Sequence, residues 1–299
     1  MSKLHISICI PAYNAINYVN VALESVRGQT YSDWELIVIE DGSSDGTEQI
    51  VESFSKTVSQ PVRYCRSEVN RGLPATRNAS IVVASGSHIA LLDADDYWAP
   101  EHLVDLVKLV AVSGAEVAHS GSILFKSTSG EVIEVRAPTP EVLSNFPISL
   151  FLADYIIQPA SVLLSKAIWS RVGGFDESFR YVEDREMWMR CARAGAGFAF
   201  TGRNTCYYRR HANALSTHSI EMAIANARVF EQHIDWGAIP KVIRMHSIVN
   251  AWTAGARILQ RSEPARASKL LLCAQRIAPR WARYQWFLAL RLYSMLKGK

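Results

Sequence analysis

The first hundred residues switch repeatedly between short apolar runs and longer stretches of helical periodicity. His5 to Ile10, Trp34 to Ile39, Val62 to Cys65 and Ile89 to Leu92 predict strands. In the last of these, successive positions are apolar, which implies burial on both faces, as in a parallel sheet covered by helices. Helices are predicted over Asn14 to Arg27, from Asp45 or Thr47 to Lys56, over Leu73 to Ser85 and over Pro100 to Ser113. Asn14 suits the cap of the first, whose Val19, Leu23 and Val26 recur along one face. This β-α-β-α order predicts a doubly wound, mostly parallel sheet.

After Ala115 the pattern changes. Ser122 to Phe125 and Glu131 to Val135 flank Lys-Ser-Thr-Ser-Gly and predict a hairpin. Phe146 to Tyr155 predicts a short helix, Ala160 to Leu164 a strand, and Tyr181 to Ala194 a helix ended by Gly195 and Gly197. Phe198 to Phe200 and Thr205 to Arg209 predict two short antiparallel strands. From about Ile220 only helical periodicity remains, broken at Pro240, Pro264 and Pro279. The expected division is an α/β domain over residues 1–218 and a basic helical region over 219–299.

Composition changes this picture in one respect. Hydrophobic residues at 49% and charged residues at 20% describe a globular chain, and no run of 18 apolar residues predicts a membrane span. Five widely spaced cysteines fit free thiols in a reducing cytoplasm. The net charge of +4, however, is uneven: residues 240–299 hold twelve Lys and Arg against Glu263 alone, a charge of +11, so residues 1–239 carry −7. The split implies two regions with different partners.

Candidate chemistry gathers where the strands end. The run His88-Ile-Ala-Leu-Leu-Asp-Ala-Asp-Asp-Tyr-Trp98 carries Asp93, Asp95 and Asp96 off the fourth strand. Open α/β sheets bind ligands at the carboxyl ends of their strands. Three acids within four residues repel one another unless a cation or strong donors offset them, and a divalent ion shared with a substrate phosphate meets that demand. Pro11-Ala-Tyr-Asn14 ends strand one and Glu40-Asp41-Gly-Ser-Ser-Asp45 ends strand two. Their crevice suits a flat base, with Asp41 accepting a ring N–H and main-chain groups of Ala12 and Tyr13 adding polar contacts. The plain alternative makes Asp41 and Asp45 turn and cap residues. In Asn70-Arg-Gly-Leu-Pro-Ala-Thr-Arg77-Asn78, Gly72 lets the backbone approach a ligand at a helix N-terminus, which attracts anions. Arg77, one turn in, reaches a diphosphate or the nearby acids; its alternative is a salt bridge to Asp96 or Asp93.

In order and spacing these four motifs resemble the family 2 inverting glycosyltransferases. The likeness continues at Gly173-Gly-Phe-Asp-Glu177 and Glu183-Asp184-Arg-Glu-Met-Trp188, covering about residues 4 to 218. It implies the GT-A fold and a nucleotide-diphosphate sugar donor used with Mn²⁺ or Mg²⁺. By the resemblance, Pro11, Ala12, Tyr13, Asn14, Asp41, Gly72, Arg77, Asp93 and Ala94 form the nucleotide side. Asp41 holds the base, Arg77 the phosphates or the acids around them, Asp93 the ribose or metal, and Asp95 the metal. Glu40 departs from the Asp more frequent there, and Thr76 from a frequent Ala.

An inverting transfer needs one carboxylate to take the proton of the attacking acceptor hydroxyl, and no covalent nucleophile. The resemblance assigns this base to Asp184, with Glu183 as fallback; the alternative for one of the pair, and for Glu186, is an acid complementing a helix dipole. It also makes His211 a candidate metal ligand, against a structural or exposed histidine. Arg209 or Arg210 suits the diphosphate through its forked donors. The other seven histidines carry no supporting pattern. Trp98, Gln158 and Trp188 are expected to shape the acceptor side, since indole faces stack on sugar rings, although most tryptophans are core residues.

The expected activity is therefore metal-assisted transfer from a nucleotide sugar, foremost a UDP-sugar, to a hydroxyl of a cell-surface glycan or lipid-linked acceptor. A sugar nucleotidyltransferase is one rival, but it usually wants a glycine-rich phosphate loop after strand one, which Pro11-Ala-Tyr-Asn14 is not. A non-catalytic sugar-nucleotide-binding scaffold is the other. In the tail, Ile243 to Gln260 and Trp281 to Leu296 predict helices rich in Arg and aromatic residues, with Arg280, Arg283 and Arg291 on one side. They fit an anionic lipid surface at the inner face of the cell membrane, or equally a cap on the acidic domain or a dimer interface. Nucleic acid is not an expected partner, since the stretch carries no binding motif.

Overall fold

In a computed structural model the described residues are 4–152, 155–212, 214, 217–277 and 279. They form two compact units: Met1–Pro140 with Ile156–Ala212, and Glu141–Tyr155 with the described part of Asn213–Lys299. The second unit thus includes a segment from the middle of the chain, which a single cut near residue 218 does not express. The tail helix expected over Trp281 to Leu296, with Arg280, Arg283 and Arg291, lies outside the described residues.

The first unit opens with β1 (Ile6–Ala12), α1 (Val19–Arg27), β2 (Trp34–Asp41), α2 (Thr47–Ser55), β3 (Val62–Ser67), α3 (Leu73–Val83) and β4 (His88–Leu91). These four strands run parallel in the order β3-β2-β1-β4. Every residue of β1 and β2 is buried, so both faces of the sheet are covered, which is why these strands are mostly apolar, their buried Ser7 and Glu35 hydrogen-bonded to each other. Ile8, Ile10, Leu36 and Val38 share one core with Val19, Leu23 and Val26 of α1. α1 starts later than expected: Tyr18 precedes its first residue, and Asn14 sits at φ 51° in the turn, its N–H donating to Ser43 Oγ at 2.9 Å. The asparagine serves the turn because a left-handed residue cannot cap a helix in the usual extended conformation.

The sheet continues through β5 (Tyr97–Trp98), β6 (Val117–Lys126), β7 (Val132–Arg136), β8 (Val162–Ser165) and β9 (Phe198–Arg210), with α4 (His102–Ser113) following β5. Its full order is β3-β2-β1-β4-β8-β6-β9-β5, with β7 paired to β6. β4–β8, β8–β6, β5–β9 and the β6–β7 hairpin are antiparallel. The two short strands expected around Phe198 and Thr205 are one strand, parallel to β6. Thr201-Gly-Arg-Asn, between the two expected strands, forms a bulge, where the register shifts on either side of Gly121. A Cβ at Gly121 would lie 2.9 Å from the Arg136 carbonyl oxygen, a main-chain atom, as well as meeting the Asn204 side chain, so glycine suits the bulged strand.

The second unit holds α5 (Pro140–Ser144, its first residue at the boundary) and α6 (Ile148–Leu152), then, beyond the rest of the first unit, three longer helices. Within the first unit α7 (Lys166–Val172) and α8 (Glu183–Arg193) follow β8. The second unit's longer helices are α9 (Ser219–Gln232), α10 (Lys241–Leu259) and α11 (Pro264–Ile277). Phe151 of α6 stacks on Phe230 of α9 at 5.4 Å and lies 6.1 Å from the Trp236 ring. Among the described residues, no helix is long and apolar enough to cross a membrane.

Candidate active site

Three parallel strands deliver their carboxyl ends to one edge. The register sets Ala12 of β1 beside Glu40 of β2, and Cys9 beside Leu91 of β4, so the Pro11–Asn14 turn, Asp41 and the Asp93–Asp96 run share that edge. The turns are laced together there. Asp45 accepts the Ile16 N–H at 2.9 Å and the Thr47 hydroxyl at 2.7 Å. Burial opposes its charge, yet these hydrogen bonds hold its carboxyl below the usual range. Ser43 Oγ takes the Asn14 N–H and donates to Glu40, and burial raises the Glu40 carboxyl despite that bond. Tyr13 stays about half exposed at the rim.

Asp41 is turned to the loop before α3. Its two oxygens accept the Arg71 and Gly72 N–H groups, each at 2.8 Å. The loop also presses on Gly42, at φ 82°, where a Cβ would lie 2.5 Å from the Asn70 nitrogen. Asp41 therefore fixes the loop that carries Gly72, and any contact with a base uses its remaining lone pairs. Ala12 and Ala94 are buried, leaving main-chain groups as their polar offering.

Arg77 faces the acids, not solvent. Its side chain is 1% exposed, with Nη2 donating to Asp93 Oδ1 at 2.6 Å and Nη1 to Glu183. Its guanidinium also lies 5.6 Å from the centre of the Phe175 ring. Burial works against this cation, but Asp93 and Glu183 outweigh it and hold the proton more tightly than usual. One buried arginine thus joins the end of β4 to the start of α8. Of the two expected partners of Arg77, the phosphates or the acids around them, the structure shows the acids. Burial lifts the Glu183 carboxyl to about 7, with Arg77 opposing and Asp184 adding to the rise.

Asp95 and His211 form a second centre. His211 Nε2 lies 2.9 Å from Asp95 Oδ2, and its Nδ1 is buried without a hydrogen-bond partner. Arg209 donates from Nε to the Asp95 carbonyl at 2.7 Å and from its N–H to Asp96 Oδ1 at 2.8 Å. Asp96 is 1% exposed; burial, then Asp95 and Asp93, push its carboxyl well up. Among the described residues no group of three His, Cys, Asp or Glu gathers around one point. Asp93 stays with Arg77 and does not join Asp95 and His211. One carboxylate and one imidazole fit an ion of the Mg²⁺ or Mn²⁺ kind, which takes few protein ligands and completes its shell with substrate phosphates and water.

Asp184 and Glu183 open α8, the helix expected over Tyr181 to Ala194. They differ in setting: Glu183 is buried on Arg77, whereas Asp184 is half-buried and accepts the Arg185 N–H at 2.7 Å. Val182, just before them, is held at φ 54°. A β-branched residue in that region costs about 1–3 kcal/mol, a strain typical of functional turns. Glu186 pairs with Arg190 at 2.5 Å and is structural.

The acceptor expectation needs correction. Trp98 is 3% and Trp188 2% exposed, so neither indole presents a face to a sugar. Instead Trp98 Nε1 donates to the Ala160 carbonyl and Trp188 Nε1 to the Ile157 carbonyl at 3.1 Å. The two indoles brace the short segment that contains Gln158, itself 9% exposed. Trp188 also meets Phe175 edge-on at 6.3 Å. Asn78, quoted in a motif but given no role, ties α3 to the glycine turn: its amide donates to the Phe175 carbonyl and accepts the Phe175 N–H, both at 2.8 Å. Its amide and Gly173-Gly174 in one chain were the signal, unreadable without the 97-residue contact.

The fold is an α/β sheet with acids gathered at one strand-end edge, and comparison with known proteins names the family. Residues 7–153 match the model for "Glycosyl transferase family 2", and the chain belongs to that family, with a GT-A fold. It is 29% identical over 195 residues to an uncharacterized glycosyltransferase of Rickettsia prowazekii, covering 64% of this chain but only 59% of the relative. It is 27% identical over 230 residues, 76% of this chain and 85% of the relative, to a UDP-Glc:alpha-D-GlcNAc-diphosphoundecaprenol beta-1,3-glucosyltransferase of Escherichia coli. Similar folds include S. aureus TarS 1–349 in complex with UDP-GlcNAc (TM-score 0.73, 16% identity, 93% of this chain and 83% of that one). A mannosyltransferase from Pyrobaculum calidifontis in complex with GDP-Man and Mn²⁺ gives a TM-score of 0.64 at 17% identity, over 98% and 86% of the two chains.

Proposed function

We infer that this glycosyltransferase transfers a sugar with inversion from a nucleotide-diphosphate sugar, foremost a UDP-sugar, to a hydroxyl of a glycan or lipid-linked acceptor in cell-surface polysaccharide synthesis. The observation that carries the reading is the division of labour among the acids. Arg77 occupies Asp93 and Glu183, which leaves Asp184 as the open carboxylate at the α8 start and Asp95 with His211 as the open ligand pair. The crevice between β1 and β2 takes the base, with Pro11, Ala12, Tyr13 and Asn14 along it and Asp41 beneath. Gly72 and Ala94 let backbone approach the nucleotide. The nucleotide donors printed for the relatives support this class of ligand.

In the reaction, Asp184 takes the proton of the acceptor hydroxyl as that oxygen attacks the anomeric carbon, and the sugar–phosphate bond breaks on the opposite side. Arg209 and the loop at Gly72 hold the departing diphosphate. Asp95 and His211 would hold Mn²⁺ or Mg²⁺, which supplies charge neutralisation at that diphosphate. The lipid-linked acceptor in the E. coli relative's name and the +11 charge of residues 240–299 together support peripheral attachment to an anionic membrane.

Incubating the chain with a panel of nucleotide sugars and Mn²⁺ tests the reading. Release of a nucleoside diphosphate supports it; release of pyrophosphate from a nucleoside triphosphate supports a nucleotidyltransferase instead. Neither product, with any donor or acceptor, favours a non-catalytic scaffold.

A further inference from the structure

Tyr18 belongs to none of the motifs, yet it touches both groups that converge on Asp95. Its ring centre lies 4.8 Å from that of His211, the planes inclined by 33°. The Arg209 guanidinium carbon lies 5.3 Å from the same ring centre and 4.8 Å from that of Phe125. His211 reaches the Asp95 carboxylate and Arg209 the Asp95 carbonyl. One phenol ring therefore supports the imidazole and the cation whose other ends meet on a single aspartate. Tyr18 is itself anchored: its N–H donates to the Ala15 carbonyl at 2.9 Å, and its own carbonyl accepts the Val21 N–H at 2.9 Å, immediately before α1.

The electron-rich face of an aromatic ring attracts a guanidinium and stacks with an imidazole. A long arginine and a histidine would otherwise sample several rotamers, and freezing them on ligand binding costs affinity. Outer contacts that orient metal-binding side chains change metal affinity when removed. The geometry points to Tyr18 as a positioning residue: its ring pre-orders His211 and Arg209 to receive a divalent cation and a nucleoside diphosphate. This rests on the metal-assisted reading of the site given above.

The test uses the full chain, Mn²⁺ and UDP. Mn²⁺ binding is followed by the electron paramagnetic resonance signal of the free ion, with and without UDP; UDP binding is followed separately in EDTA by calorimetry. Tyr18→Ala should weaken Mn²⁺ binding about tenfold and also weaken UDP binding without metal, through Arg209. Tyr18→Phe, which keeps the ring, should stay within about twofold of wild type, a rescue that a hydroxyl-based role would not give. If Tyr18→Ala melts well below wild type, Tyr18→Leu repeats the comparison with bulk but no π face. Wild-type binding in both Tyr18→Ala and Tyr18→Leu overturns the proposal alone. Equal loss in Tyr18→Phe and Tyr18→Ala also overturns it. A wild-type chain that binds neither Mn²⁺ nor UDP overturns the metal-assisted reading together with it.

Discussion

Two acid clusters, one at the end of β4 and one at the start of α8, are built alike and used differently within themselves. At β4, Asp93 is clamped by Arg77 and Asp96 accepts the Arg209 N–H, while the Asp95 carboxylate meets His211 and is 34% exposed along its side chain. At α8, Glu183 is clamped by the same Arg77 and Glu186 by Arg190, while Asp184 keeps solvent contact. Each cluster therefore has one acid held by the Arg77 guanidinium, one held by another residue (Asp96 through the Arg209 main-chain N–H, Glu186 through the Arg190 guanidinium) and one left open. Crowded carboxylates repel, and the one cation shared by Asp93 and Glu183 offsets part of that cost. What a motif presents as a set of equivalent acids is a framework of held acids plus one open carboxylate.

The sharpest way to break this comparison is to exchange the roles. Asp184→Asn should lower the turnover number about 10²- to 10⁴-fold with nucleotide binding kept, because only the proton acceptor is lost. A comparable turnover loss in Glu183→Gln alone, with an unchanged melting temperature, would return Glu183 to the base position. At β4, Asp95→Asn should weaken Mn²⁺ binding more than about 100-fold, beyond the range of outer contacts, while Asp93→Asn should not. Titration calorimetry on both variants decides it.

Arg77→Ala leaves the buried Glu183 and the half-buried Asp93 without their cation and should destabilise the first unit by about 3–5 kcal/mol, read from urea unfolding. A loss under about 1 kcal/mol would mean that the clamp is dispensable. The smallest effect concerns pH. Burial holds the Glu183 carboxyl at about 7, above its ordinary 4.5. A folded-state value above the unfolded one means that this group's contribution to stability is full below the unfolded value and is lost as pH rises through about 7. Glu183→Gln should therefore flatten the decline in melting temperature between about pH 4.5 and pH 7; an unchanged slope would show that Glu183 is ionised throughout.

The parallel half of the sheet was legible because burial on both faces leaves apolar runs such as Leu36–Ile39 and Ile89–Leu92, and in β1 only the small Ser7 interrupts Ile6–Ile10. The strand-end acids and the α8 pair were legible from motif spacing. Contacts across long separations were not. The link from Arg77 to Glu183 spans 106 residues, and although a salt bridge to Asp93 was foreseeable, the partner on α8 was not. Asn14 misled because the residue that caps helices also tolerates the left-handed region. Trp98 and Trp188 misled because an indole suits a sugar platform and a buried brace equally well, and only burial tells them apart.

The segment Glu141–Tyr155 leaves the first unit's sequence and joins the second before the chain returns at Ile156. Gene truncation after residue 212 would not cleanly separate a catalytic module from a helical appendage. It would keep Phe151 but delete Phe230 and Trp236, its aromatic neighbours, and so leave a greasy stub inside the surviving half. Shuffling this helical part between relatives would require two coordinated splices, so recombination is expected to have moved the two units together.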